Sequence, residues 1–169
     1  MSYAVDYQRS LTDPEGFWAE QARELPWFEF PSTILDQDAN GSWRWFRGGK
    51  INTCWLCVDR HVADGRGDQV ALIYDSPVTS QIQRITFAEL QQRVAKVAGG
   101  LAALGVSKGD RVIVYMPMIP EAVISMLACA RVGAVHSVVF GGFAAPELAA
   151  RIDDAQPKVL LTASCGIEF

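Results

Sequence analysis

Apolar positions divide this chain into two zones. Residues 1–60 carry aromatics in short irregular clusters, whereas from about residue 68 onward apolar residues recur with regular periods. In the regular zone, Val70 to Tyr74 is a short apolar run that predicts a strand. Gln81 to Ile85 can pair with it across the Ser76–Ser80 loop. Thr86-x-x-Glu89 has the form of a capping box, in which side chain and backbone satisfy each other's free donors. Behind it Phe87, Leu90, Val94, Val97, Leu101 and Leu104 fall at three- and four-residue spacing, one stripe along a helix that Gly105 closes. Gly109-Asp110 predicts a turn, Arg111 to Tyr115 a strand, and Pro120 the start of a helix ending near Arg131 and Gly133. Ala134 to Val139 predicts the next strand. Pro146 opens a further helix that ends near Ala155-Gln156-Pro157, and Lys158 to Thr162 predicts a last strand.

Strand, helix, strand, helix, strand, helix, strand is the pattern of a parallel sheet with helices on its faces, so the fold class expected is α/β. The strands are nearly all apolar, as expected where both faces are covered. The last strand delivers Ala163-Ser164-Cys165-Gly166 shortly before the sequence stops at Phe169. Ligands of open α/β sheets bind beyond the carboxyl ends of strands, which suggests a fragment that stops where a site should be assembled.

The first zone holds Phe17, Trp18, Trp27, Phe28, Phe30, Trp43, Trp45, Phe46 and Trp55 but few regular runs. Asp13-Pro14-Glu15 opens a helix, with Asp13 as cap and Pro14 at the first helical position, and Pro26 ends it. A second helix is expected from Thr53 to Ala63, capped by Asn52 and stopped by Asp64-Gly65. Nothing in this zone builds a core alone, and its aromatics are expected to pack it onto a larger body.

Composition narrows the function. At 169 residues, 50% apolar and 20% charged, the chain suits one globular domain. Its net charge of −4 and the lack of a basic block argue against nucleic acid. Backbone amides can still hold a small anion. The most apolar stretch, Val112 to Val139, is cut by Pro117, Pro120, Glu121, Arg131 and His136, and Met1 to Ser10 lacks the apolar core of a signal peptide. A cytoplasmic protein without a membrane partner is expected.

Of the four cysteines, Cys54 and Cys57 form a C-x-x-C with His61 four residues on. A structural zinc site would want a second pair, and a redox motif should follow a strand. Inside a helix both are better read as buried thiols, and no metal site is assigned. Cys129 reads as a small core residue. Asp59-Arg60-His61 points to different faces of a helix, so a structural tie of Asp to Arg or His to backbone fits better than a catalytic cluster. Gly48-Gly49-Lys50 reads as a surface turn, and His136 as a histidine of a strand. Phe140-Gly141-Gly142-Phe143 follows a strand. Its glycines permit close backbone approach to a ligand or positive φ, and a tight strand-to-helix turn without ligand accounts for them equally. It is neither a P-loop nor G-x-G-x-x-G. No nucleophile elbow and no carboxylate pair for acid–base work are found.

Several segments together resemble the acetyl/propionyl-CoA synthetase family of adenylate-forming acyl-CoA synthetases. They are Asp13-Pro14-Glu15-Gly16-Phe17-Trp18, Trp45-Phe46-Arg47-Gly48-Gly49-Lys50-Ile51-Asn52, Val58-Asp59-Arg60-His61, Lys108-Gly109-Asp110-Arg111-Val112, Tyr115-Met116-Pro117-Met118 and the run from Gly133 to Phe143. Their order and spacing match over essentially the whole chain. The opening residues and Thr162 to Glu168 look most like the propionate-specific members. The sequence departs at Trp55-Leu56, where the family usually has an aromatic or His followed by Asn.

The resemblance implies an aromatic-rich N-terminal extension over residues 1–60 and, over residues 61–169, the incomplete start of the parallel-sheet AMP-binding large domain. It implies a ligase that joins propionate or acetate to CoA through an acyl-AMP, using ATP, CoA and Mg2+. It places the phosphate loop, the nucleotide-binding segments, the catalytic lysine and an arginine for the CoA phosphates beyond Phe169. Hence no catalytic residue is assigned to this chain. Phe140, Gly141 and Gly142 are implied to contact CoA. The isolated chain is expected to be inactive, to bind none of these ligands tightly, to need the rest of the synthetase as its partner, and to be poorly soluble alone. A CoA-binding module without catalysis is the alternative.

Overall fold

The computed structural model describes residues 2–164. The chain forms two compact units, residues 1–51 and 52–169.

The first unit opens with two helices, α1 (Tyr3–Thr12) and α2 (Pro14–Arg23). Asp13 Oδ1 accepts from the Gly16 amide at 3.1 Å and Pro14 takes the first helical position, as the sequence predicts. Two strands, β1 (Thr33–Gln37) and β2 (Trp43–Arg47), pair antiparallel with Leu35 opposite Trp45. In the turn between them Asp38 accepts from the amides of Asn40 and Ser42 at 2.9 and 3.0 Å and from Nε and Nη2 of the Arg44 guanidinium. The aromatics pair with one another inside this unit. Trp18 meets Trp45 edge-on at 6.0 Å, Trp27 meets Phe46 at 5.6 Å, and the Trp27 indole donates to the Ala22 carbonyl at 2.8 Å. Gly48 has φ of 78°, and a Cβ on Gly49 would lie 2.7 Å from the Trp27 ring. The glycine pair is the expected turn, fastened by Lys50 to Glu29 at 2.7 Å.

The second unit begins with a helical stretch over residues 53–63 whose middle, Trp55–Asp59, is π-helical before it resumes as α3 (Arg60–Ala63). Asn52 Oδ1 caps it through the Trp55 amide at 3.0 Å. Then come β3 (Val70–Ser76), β4 (Gln81–Thr86), α4 (Phe87–Ala103), β5 (Arg111–Met116), α5 (Pro120–Val132), β6 (Val135–Phe140), α6 (Ala145–Ala155) and β7 (Val159–Thr162). The capping box is present in full, with the Thr86 hydroxyl on the Glu89 amide at 3.3 Å and the Glu89 carboxylate on the Thr86 amide at 2.9 Å. At the other end of α4, Gly105 takes φ of 82°, its amide donates to Ala102 and the Val106 amide donates to Leu101. That reversal is a Schellman motif, and it corrects the predicted stripe. Leu104 is 64% exposed, because the chain turns there, and Val106 enters the core in its place. Leu90, Val94 and Leu101 are buried as the stripe requires, Val97 is only partly buried, and Ala98, outside the predicted stripe, is buried beside it.

The parallel sheet has three strands in the order β6-β5-β7. The pattern of alternating elements placed β4 in it as well. Instead β4 pairs antiparallel with β3 in a separate ribbon, and of its residues only Ile85 is buried. Gln81, Gln83 and Arg84 are polar and exposed, which suits a ribbon and not a strand covered on both faces. Full coverage holds for the central strand, where Val112, Ile113 and Val114 are all 0% exposed. It fails for β6, one of the two edge strands, which leaves Val135, Val138 and Phe140 exposed. His136 is exposed on the same strand.

The core joins Cys54 and Val58 to α4, β5 and α5. Among the described residues no helix is long and apolar enough to cross a membrane.

Candidate functional site

β5 and β6 run parallel, with Met116 opposite Phe140 at their carboxyl ends. Beyond those ends lies a cleft of about 520 Å³. One wall is Phe140, Gly141 and Gly142. The facing residues are Pro117 and Met118 after β5, and Tyr74 to Val78 at the tip of the β3–β4 ribbon. Its place is the one that parallel sheets offer to ligands. The structure thus puts the predicted loop in a cleft, and adds two segments that residue-by-residue reading did not assign. The Ser76–Ser80 loop was legible only as a connection. Its role as a wall depends on the ribbon standing apart from the sheet.

The loop's geometry explains both glycines without a ligand. A Cβ on Gly141 would lie 2.8 Å from Met116 C, Met116 O and Pro117 N, so the loop packs backbone to backbone against the end of β5. A Cβ on Gly142 would lie 2.7 Å from the Phe140 ring. Neither glycine has positive φ. The close approach allowed by the pair is therefore used inside the protein, and it shapes the wall that Phe140 presents.

Chemically the cleft is apolar, built from Pro77, Val78, Pro117, Met118 and Phe140, and among the described residues Asp75 is the only charged one lining it. It suits an uncharged, partly apolar chain, and the described lining residues include no cation. The nearest element beyond the loop, α6, carries Arg151, whose guanidinium lies over the Phe143 ring at 4.7 Å.

The other sequence candidates turn out to be structural. Asp59 is paired with the Arg131 guanidinium and accepts from Gln91 Nε2 at 2.8 Å, tying the π-helical turn to α4 and α5. The expected Asp–Arg tie exists, with Arg131 as its partner. His61 Nδ1 accepts from the Arg66 guanidinium, and its ring packs on Phe87 at 4.6 Å, so its tie is to side chains and not to backbone. Burial first, and the Arg66 charge second, push its pKa down. Cys54 is fully buried, its Sγ 3.5 Å from Arg131 Nε and 3.9 Å from Asp59 Oδ2. Burial raises its pKa despite the guanidinium. Cys57 corrects the expectation of two buried thiols: it is exposed, because residues three apart across a π-helical turn do not share the face that Cys54 and Val58 bury. Burial pushes Cys129 up to about 11. Among the described residues no three His, Cys, Asp or Glu side chains gather as a metal site would require. Cys165 and Gly166 lie outside the described residues.

A family model described as "AMP-binding enzyme" matches residues 59–168, and one described as "Acetyl-coenzyme A synthetase N-terminus" matches residues 3–57. An uncharacterized protein of Pseudomonas aeruginosa is 58% identical over 169 residues, all of this chain and 27% of that protein. The mitochondrial acyl-CoA synthetase short-chain family member 3 of Homo sapiens is 49% identical over 166 residues, 98% of this chain and 24% of that protein. An acetyl-coenzyme A synthetase of Streptomyces avermitilis is 52% identical over 163 residues, 96% and 25% respectively. The chain thus spans about a quarter of the length of these relatives.

Proposed function

Because the chain belongs to the AMP-binding enzyme family, in its acetyl/propionyl-CoA synthetase branch, we propose that it is the N-terminal part of a short-chain acyl-CoA synthetase. In the reaction a carboxylate attacks the α-phosphate of ATP, giving acyl-AMP and pyrophosphate. The thiol of CoA then displaces AMP from the acyl carbon. Propionate is our substrate, with acetate as the second reading. Mg2+ accompanies the ATP, and no residue of this chain is assigned to either.

The observation that carries the reading is the cleft beyond β5 and β6, walled by Phe140, Gly141 and Gly142. We assign these three residues to CoA. The apolar walls would take the pantetheine, and the cations for the phosphates come from outside the cleft lining. Residues 1–60 are read as the N-terminal extension and 61–169 as the first part of the AMP-binding domain. The synthetase is read as cytoplasmic, which subcellular fractionation tests, since the Homo sapiens relative is mitochondrial by name. This chain by itself is inactive in our reading.

The test is acid-dependent ATP–pyrophosphate exchange by the whole synthetase that carries this sequence. Exchange with propionate, at a higher kcat/KM than with acetate, is expected. A preference for acetate overturns the substrate, and no exchange with either acid overturns the ligase.

A further inference from the structure

The Phe140–Gly142 wall is held from outside the cleft. The Tyr115 hydroxyl, on β5, donates to the Phe143 carbonyl at 2.7 Å. The Phe143 amide closes a turn onto the Phe140 carbonyl at 3.0 Å. The Phe143 ring meets the Phe140 ring edge-on at 5.8 Å and lies under the Arg151 guanidinium. Arg151 is in turn fixed by the Glu147 carbonyl at 2.8 Å and its carboxylate at 3.1 Å. Phe143 is therefore pinned at its backbone by Tyr115 and at its ring by Arg151. It passes that constraint to Phe140, the residue that lines the cleft.

Gly141 packs on the Met116–Pro117 junction, but Phe140 itself is 60% exposed, and the chain after Gly142 is held through Phe143. We infer that Tyr115 is a positioning residue for the CoA step, its hydroxyl setting the conformation in which Phe140 meets the thiol substrate. This rests on the proposed CoA reading of the loop. A held loop spares the ligand the cost of ordering it, which is where preorganisation acts on affinity. The role is separable from folding. Burial of β5 comes from Val112, Ile113 and Val114, and the Tyr115 hydroxyl bond lies on the exposed side.

The experiment compares Tyr115→Phe and Phe140→Ala in the whole synthetase. KM for CoA is read against acid-dependent ATP–pyrophosphate exchange, which reports the step before CoA enters. Tyr115→Phe keeps the ring and loses one neutral hydrogen bond, so KM for CoA should rise about two- to tenfold while exchange is retained. Phe140→Ala should raise KM for CoA more. If Phe140→Ala raises it and Tyr115→Phe does not, the positioning role is overturned and the CoA reading stands. If Tyr115→Phe lowers exchange as much as the CoA step, the hydroxyl is structural and the inference falls. If Phe140→Ala leaves KM for CoA unchanged, the loop does not meet CoA and both readings fall.

Discussion

Adding one methyl at Gly141 should destabilise the fold and one at Gly142 should not, though the residues are adjacent. A Cβ at Gly141 meets three backbone atoms at 2.8 Å, all at the Met116–Pro117 junction. Ordinary carbon contacts lie at about 3.5–4.0 Å, so the two backbones must part by about an ångström. Pro117 cannot rotate its φ to yield, and Ile119 already leads into α5 at Pro120. Overpacking of this kind costs about 1–3 kcal/mol. The alanine regains about 0.4–1 kcal/mol by restricting the unfolded chain. Gly141→Ala should therefore lose about 1–2 kcal/mol net. A Cβ at Gly142 has the Phe140 ring as its nearest neighbour, and Phe140 is 60% exposed, so the ring can swing away. Its cost is the edge-on contact with Phe143, about 0.5–1.5 kcal/mol, and the same unfolded-chain gain offsets most of it. Gly142→Ala should be near neutral in stability yet should move Phe140 out of the cleft wall. Denaturant unfolding followed by circular dichroism measures both. Equal stability of the two variants, or a less stable Gly142→Ala, would refute the assignment of Gly141 to backbone contact.

Asp59→Ala removes the acceptor for Arg131, Gln91 and the Cys54 thiol and leaves a half-buried guanidinium without its carboxylate. A loss of about 2 kcal/mol is expected, read from the denaturant midpoint, and a loss under 0.5 kcal/mol would mean that water replaces the carboxylate. Asp110 accepts from the Ser107 amide at 2.7 Å and hydroxyl at 2.8 Å and from Lys158 at 3.1 Å, and these hold its pKa down from 3.8 to about 2. A depressed carboxylate stabilises the fold above its unfolded pKa and loses that contribution as pH falls through the folded value. The stability gap between the protein and Asp110→Asn should thus be full above about pH 4 and close toward about pH 2, and a gap that stays constant across that window would contradict the pairing.

Local signals with a single physical meaning were legible. The Thr86 capping box, the Asn52 and Asp13 caps, the glycines that end α4 and α5 and the Pro-led helices are each decided within a few residues. All appear where the pattern puts them. Partnership between strands was less legible. The ribbon of β3 and β4 was expected, but its separation from the parallel sheet depends on which faces are covered, a tertiary property that a short strand does not carry. The hairpin β1–β2 escaped because Trp43-Arg44-Trp45-Phe46 has no clean alternation, and its turn is made by one side chain, Asp38, capturing two amides and an arginine. Helix α1 escaped for a related reason: none of its residues is buried, so no apolar stripe announces it.

The same distinction sorts the segments that carried the family resemblance. In Lys108-Gly109-Asp110-Arg111, Asp110 fastens the loop before β5, and the Arg111 guanidinium donates to the carbonyls of Ala155 and Gln156 at 2.9 and 3.2 Å, closing the end of α6. These bonds lie at the amino ends of the strands, away from the cleft beyond Met116 and Phe140. Val58-Asp59-Arg60-His61 supplies a core residue and a partly buried tie to α5. Only Tyr115-Met116-Pro117-Met118 and Phe140-Gly141-Gly142-Phe143 reach the cleft, and they reach it together, because Gly141 packs on the Met116–Pro117 junction and Tyr115 holds Phe143. Two strings far apart in sequence are thus one structural unit. A change in either should be felt as a change in the shape of the Phe140 wall, which is why the Tyr115 hydroxyl is expected to matter to a ligand that it does not need to touch.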